Sequence, residues 1–384
     1  MIEKKVLEII RSIYPAKSIP LHEPFFDEED IAIVADTVMS SFVSSVGEHV
    51  VTFEKELAEL TKSQMAVVTS NATSALHITL HALGVSYNTY VLTQALSFVA
   101  TSNAIRHCGS NPIFIDINKE TLGMCPDALS SWLEEYADIN DRDECIYKAD
   151  GRKIKSCLPM HTFGHSLQID RLISVCKRWN LPLVEDAAEA LGTQYASQSV
   201  GTLGLAGIFS FNGNKIITTG GGGAIITNDE DFGRKIKHLS TTAKIQHPYN
   251  FYHDEVGFNY RMPNLNAALG VSQLKKLKLF VDTKRDIASY YHSHIENEGL
   301  RFFIEPNLCK SNYWLNTIIC NEENQRNQII EFTNSQGVNT RPAWAPLNTL
   351  PMYQSCPSDE LKVTDWAYKR IVNLPSSFNG CVLA

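Results

Sequence analysis

The chain has 384 residues, 44 % of them hydrophobic and 20 % charged, with a formal net charge of −8 when its 12 histidines are counted neutral. That length is enough to bury a core without disulfides or metals, and the acidic balance argues against nucleic acid or an anionic membrane surface as the main partner. Nine cysteines stand singly between Cys108 and Cys381 with no CxxC pair, which fits a reducing compartment rather than a disulfide framework.

The first residues, MIEKKVLEIIRSIYP, interleave Ile2, Val6, Ile9, Ile10 and Ile13 with Glu3, Lys4, Lys5, Glu8 and Arg11. This pattern predicts an amphipathic helix, not a signal segment. No apolar run approaches membrane-spanning length, so a cytoplasmic protein is expected. Further on, TSNATSALHITLHALG (69–84) places Asn71, Thr73 and Ser74 ahead of a helical apolar spacing. FVATSNAIRHC reads as a helix and NPIFIDI (111–117) as a buried strand. KIKSCLPMHTFG reads as a strand, LQIDRLISVCKRWN as a helix, and LPLVEDAAEALG as a strand running into a helix. GLAGIFSF and GGAIITND are two further strands on either side of Lys215. Strands alternating with helices of this length predict an α/β fold with a mostly parallel sheet. After about residue 235 the pattern becomes a long helix, then the strands RFFIEP and YWLNTIIC and the helix NQRNQIIEFTNSQG, as in a small α+β domain. The expected division is an N-terminal helix (1–20), a large domain (21–250), and a linking helix with a small C-terminal domain (251–384).

Lys215 stands between turn residues and the glycine run Gly220 to Gly223. A surface or salt-bridged lysine is the ordinary reading. Four successive glycines, however, permit positive φ and close backbone approach, and a desolvated lysine amine can bond an aldehyde. Asp186 ends a buried strand, where open α/β sheets bind ligands; a helix N-cap is the competing reading. Glu185 beside it reads as its exposed partner. Thr73 and Ser74 at a helix start favour a phosphate, although capping alone also explains them. Ser210 is a further hydroxyl able to reach an anion. Phe98, at the end of a strand, can stack on a flat ring or simply fill the core. A lysine, a buried carboxylate, an anion site and an aromatic plate are together the requirements of pyridoxal 5′-phosphate.

At this point the chain resembles the DegT/DnrJ/EryC1/StrS sugar aminotransferases, from about residue 18 to 377. The resemblance is carried by SSFVSSVGEHVVTFEKELAEL, SNATSALHITLHALGV, LSFVATSNAIRHCGSNPIFIDI, LVEDAAEALGTQY, FSFNGNKIITTGGGGAIITND, VGFNYRMPNLNAALGVSQL and TRPAWAPLNTLPMY. It implies a fold-type I enzyme with a mixed, mostly parallel seven-stranded sheet. It further implies Lys215 as the Schiff-base lysine and Asp186 as partner of the pyridine nitrogen. Glu189 falls near the ring's phenolic oxygen, where relatives often carry Gln or His. Thr73, Ser74 and Ser210 fall at phosphate contacts and Phe98 at the stacking ring. Asn259 falls where the family reaches the phosphate of the neighbouring subunit, implying a homodimer with sites at the subunit interface. The loop carrying Ser45 and the segment around Trp344 are expected to line the substrate pocket. Asn348 stands where relatives often have His, and Thr219 where many have an acid.

The implied reaction moves an amino group from glutamate to a nucleotide-linked ketosugar. LEIIRSIYP and SNYWLNTIIC look most like the subgroup acting on UDP-4-keto-6-deoxy-N-acetylhexosamines. Three alternatives stay open at this stage. A dehydratase of the same fold would carry histidine for Lys215. A sugar-nucleotide-sensing protein would keep the pocket without turnover. An amino-acid aminotransferase would present an arginine, and Arg261 and Arg341 are available.

Overall fold

The computed structural model describes residues 2–378; Cys381 lies outside them. Seven strands form the body of the central sheet, β1 (Met65–Thr69), β2 (Thr89–Gln94), β3 (Asn111–Ile115), β4 (Lys153–Leu158), β5 (Val184–Asp186), β6 (Ala206–Ser210) and β7 (Gly223–Thr227), and two short antiparallel strands, Ala137–Ile139 and Cys145–Tyr147, extend it from the start of β4. They lie in two ladders, β1-β7-β6-β5 and one containing β3-β2-β4. The ladders join where Cys157 bridges Leu183 and Met160 bridges Asp186, both in parallel. Within the sheet β7 runs antiparallel to both β1 and β6, and the β6–β5, β2–β3 and β2–β4 pairs are parallel. The numbered strands are buried nearly throughout, as expected where helices cover both faces.

The helices in chain order are α1 (Ile2–Ile13), α2 (Glu28–Met39), α3 (Glu48–Thr61), α4 (Ala72–Ala82), α5 (Val99–His107), α6 (Pro126–Tyr136), α7 (Ile169–Arg178), α8 (Glu230–Ser240), α9 (Asn264–Glu296), α10 (Glu323–Ser335) and α11 (Lys362–Tyr368). Their starts follow local chemistry. Asp27 and Asp30 form a capping box on α2, and the Asn71 side chain accepts the Ser74 N–H at the start of α4. Helix α9 has 33 residues, about 50 Å at the usual rise. Its first half (Ala267, Val271, Leu274, Leu277, Phe280) packs into the sheet's core. Its second half (Ile287, Ala288, Tyr291, Ile295) packs with Val6 and Ile10 of α1 and with Ile318 and Val372 of a second, antiparallel sheet. Among the described residues no helix is long and apolar enough to cross a membrane.

Three local expectations are corrected. Residues 187–192 form turns, not a helix. Asp186 Oδ1 accepts the Ala188 N–H at 3.2 Å, and Asn312 Nδ2 donates to the carbonyls of Glu189 and Leu191, at 2.9 Å each. Those bonds satisfy the backbone that a helix would otherwise pair, and Gly192 turns the chain at φ +86°. The helix-cap reading of Asp186 therefore falls. Second, Glu185 is fully buried. It accepts N–H bonds from Gly201, Leu203 and Gly204 at 2.7–2.8 Å and pairs with His161 Nε2 at 2.9 Å. Alternation along the strand sends it to the face opposite Asp186. Third, β2 stops at Gln94, and Phe98 is instead the residue that precedes α5.

Candidate active site

A cavity of about 340 Å³ opens at the carboxyl ends of β5 and β6 and the start of α4. Lys215, Asp186, Glu189, Ser210, Thr73 and Phe98 all line it. Strand ends of this kind leave turns and helix N-termini free to hold ligands. The long-range contacts are short and specific. Thr101 Oγ1, from the first turn of α5, donates to Asp186 Oδ2 at 2.7 Å. Lys215 Nζ lies 3.2 Å from Glu189 Oε1. The other Glu189 oxygen accepts the Phe163 N–H at 2.9 Å. On its far side the amine sits 4.0 Å from the centre of the Trp314 ring, a cation–π distance. The indole N–H of Trp314 donates to the Asn214 carbonyl at 2.7 Å, one residue before the lysine.

Burial dominates the electrostatics. It pushes the Asp186 carboxyl above the usual aspartate range, against the lowering effect of the Thr101 bond. It pushes Glu189 up to about 7, with the Lys215 charge opposing.

The residues present fit pyridoxal phosphate. Asp186 is 2 % exposed, yet among the described residues it makes no side-chain ion pair. A buried carboxylate of that kind calls for a cation, which a protonated ring nitrogen supplies. The anion end also fits. The first turn of α4 and Ser210 face Gly221 and Gly222 across the cavity. A Cβ on Gly223 would lie 2.5 Å from the Ala72 nitrogen, and one on Gly222 2.3 Å from Thr219 Oγ1. Glycine is what lets β7 start against the helix N-terminus.

Other expected residues lie elsewhere in the single chain. The Ser74 N–H is taken by Asn71, and its hydroxyl receives the Ser70 hydroxyl at 3.4 Å; it does not line the cavity. Ser45 and Arg261 line a separate, larger cavity of about 1040 Å³. Asn259 is exposed, its side chain accepting from Arg261. Trp344 lines the site, its ring 6.4 Å from Phe98 and 5.0 Å from Phe163. Asn348 does not line it; its Oδ1 is buried without a partner. Sequence reasoning missed Thr101 and Trp314. Both sat in quoted segments, but their partners lie 85 and about 100 positions away, so no local pattern points to them.

An open, mostly parallel sheet that brings this lysine, carboxylate and anion-binding turn together defines a pyridoxal phosphate-dependent enzyme of fold type I. The chain matches the DegT/DnrJ/EryC1/StrS aminotransferase family over residues 24–379 and belongs to it. It is 33 % identical to GDP-perosamine synthase of Escherichia coli O157:H7, across 94 % of this chain and 93 % of that one. It superposes on Helicobacter pylori PseC, an aminotransferase involved in pseudoaminic acid biosynthesis, with a TM-score of 0.83 and 26 % identity, covering 93 % of each chain. DesI, solved in the presence of its TDP-sugar product, gives a TM-score of 0.82 and 25 % identity over 94 % of this chain and 88 % of that one. The protein is thus a sugar aminotransferase.

Proposed function

We infer that the chain transfers an amino group from glutamate to a UDP-linked 4-keto-6-deoxy-N-acetylhexosamine. The observation that carries the site assignment is the meeting of Lys215 Nζ and the Asp186 carboxylate in one buried cavity. When bound, pyridoxal phosphate supplies an electron sink for the bond cleaved at the donor's α-carbon. Lys215 would hold it covalently and would move the proton at that carbon as general base and acid. Asp186, fixed by Thr101, keeps the ring nitrogen protonated. Thr73, Ser210 and the start of α4 would hold the phosphate, with Ser74 supporting that turn; Phe98 would stack on the ring and Trp344 would line the sugar's side of the cavity.

The partner is a second copy of this chain. In support, Phe42, Val46 and Val51 are exposed around the second cavity, and Ser45 and Asn259 lie outside the first. A partner bringing Asn259 to the phosphate and the Ser45 loop to the sugar would complete the site, with Asn348 beside the substrate. Dilution to monomer is then expected to lower cofactor retention, as read by light scattering and absorbance together. Arg341 does not line the cavity and bonds Asn334 instead, which disfavours it as the anchor for a second carboxylate.

Borohydride reduction followed by peptide mass spectrometry tests the site: a pyridoxyl adduct is expected on the peptide containing Lys215, and its absence overturns the assignment. A panel of UDP-, GDP- and dTDP-linked 3- and 4-ketosugars with glutamate tests the acceptor. A GDP-linked 4-ketosugar is the second reading, favoured by the identity to GDP-perosamine synthase. No 2-oxoglutarate release with any acceptor would instead leave a sensor.

A further inference from the structure

Two buried carboxyl groups face the same cavity, and their surroundings differ. Asp186 is held by the Thr101 hydroxyl and the Ala188 N–H and lies against no ammonium. Glu189 has one oxygen on the Phe163 N–H and the other on Lys215 Nζ, at 2.9 and 3.2 Å. Phe163 itself sits at φ +57°, so the donor that orients Glu189 is held in a turn conformation rare for a large side chain. A glutamine would fill the same place and keep an acceptor for the Phe163 N–H, but it would turn a second N–H donor towards Lys215 and could not accept a proton.

We propose that Glu189 is the proton store of Lys215. Whenever the amine acts as nucleophile or base, the carboxylate takes the proton that the ammonium sheds. It returns that proton when the nitrogen must act as an acid. In the exchange one N–H bond of Lys215 breaks and one O–H bond of Glu189 forms. The ammonium–carboxylate pair becomes a neutral amine and a neutral carboxylic acid, and nothing is oxidised or reduced. Such neutralisation suits a buried site, where a separated charge is costly and a proton shared across a short contact is not. Burial already pushes this carboxyl up to about 7, far from an ordinary glutamate and close to where a proton relay works well. The charged groups facing the pair are few. Asp186 lies across the cavity from Glu189, and His161 backs Asp186. His22 and Lys284 lie behind Lys215. With a protonated ring nitrogen opposite Asp186, Glu189 is the one carboxylate left to Lys215.

The inference rests on Lys215 as the reactive amine, and the test separates the two. In the holoenzyme, an infrared pH titration is expected to show the C=O stretch of a protonated carboxyl that titrates near neutrality and is lost in Glu189→Gln. In the cofactor-free full chain, acetic anhydride labelling of Lys215 at neutral pH, read by peptide mass, is expected to run several-fold faster in Glu189→Gln, which removes the carboxylate that pairs with the ammonium. A Glu189 carboxyl that stays ionised down to about pH 4, as in a free side chain, overturns the proposal. So does an unchanged labelling rate. Should the Gln variant fail to fold, Glu189→Asp replaces it, and its carboxyl band is expected to shift rather than vanish. Loss of the borohydride adduct sinks the Lys215 reading; an intact adduct with no protonated Glu189 sinks only the proton store.

Discussion

Around Asp186, Glu189 and Lys215 each polar side chain is held by a neighbour from a distant part of the chain: Thr101, the Phe163 backbone, the Trp314 ring. Around Ser45, Asn259 and Asn348 the opposite holds. Ser45 borders a separate open cavity, Asn259 is exposed, and Asn348 has a buried oxygen without a partner. The first region is held together within one protomer, and the second is not. Under the proposed function, the chemistry common to all acceptors is built on the sheet, and Ser45 and Asn348 lie in segments that would choose the acceptor. Pre-organisation of the first kind is what proton transfer and charge stabilisation require.

Changes in the first region should cost most. Lys215→Ala is expected to lower steady-state transamination by about 10⁴-fold or more, since it removes covalent attachment as well as acid–base work. Retention of the wild-type rate would break the comparison outright. Glu185→Ala tests whether adjacent acids divide their duties. It would strand the N–H groups of Gly201, Leu203 and Gly204 and the buried His161 ring. A loss of about 3–5 kcal/mol in stability is expected by denaturant unfolding, and whatever folded protein remains should still show the cofactor's visible band.

A pH experiment sharpens the comparison. Glu189 is raised from 4.5 to about 7, so the folded chain binds its proton more tightly than the unfolded one. Its contribution is fully present below about pH 4.5 and is lost as pH rises towards 7, with a ceiling of roughly 3 kcal/mol. Glu189→Gln carries no such term. Thermal melts of the cofactor-free proteins should therefore show wild type losing stability relative to the variant between those limits. A smaller effect is expected for Thr101→Val, which removes a hydrogen bond that favours the Asp186 anion. Turnover should fall about tenfold, with the acid limb of the pH–rate profile moving to higher pH. Trp344 lines the first cavity, and Trp344→Ala tests its expected substrate role. It is expected to raise KM for the ketosugar roughly 3- to 10-fold at nearly unchanged kcat, the scale of one aromatic contact. A fall in kcat alone would place Trp344 with the first region instead.

The sheet was legible because buried strands leave continuous apolar runs, such as NPIFI and GAIIT, that no neighbour has to explain. The segment after β5 was not. EDAAEALG has good helix formers, but the local preference is overruled by Asn312, 123 positions from Glu189. Likewise, the sequence marked Asp186 and Lys215 through strand ends and glycines but was blind to what holds them. Thr101 resembles any hydroxyl in a helix, and Trp314 any aromatic in a strand. Glu185 was misjudged because an acid is seldom buried, and its burial depends on His161 and on the loop folding back at 201–204. That loop needs two glycines in contact: a Cβ at Gly207 would lie 2.2 Å from the Gly201 Cα.

Helix α9 joins the core beneath the sheet to the core built on α1 and the second sheet, with no break along its 33 residues. A continuous strut sunk into both cores leaves no flexible joint on which one could swing away from the other. Calorimetry should accordingly record a single melting event. Cofactor and sugar must then gain entry through displaced side chains, not by the jaws of one chain opening.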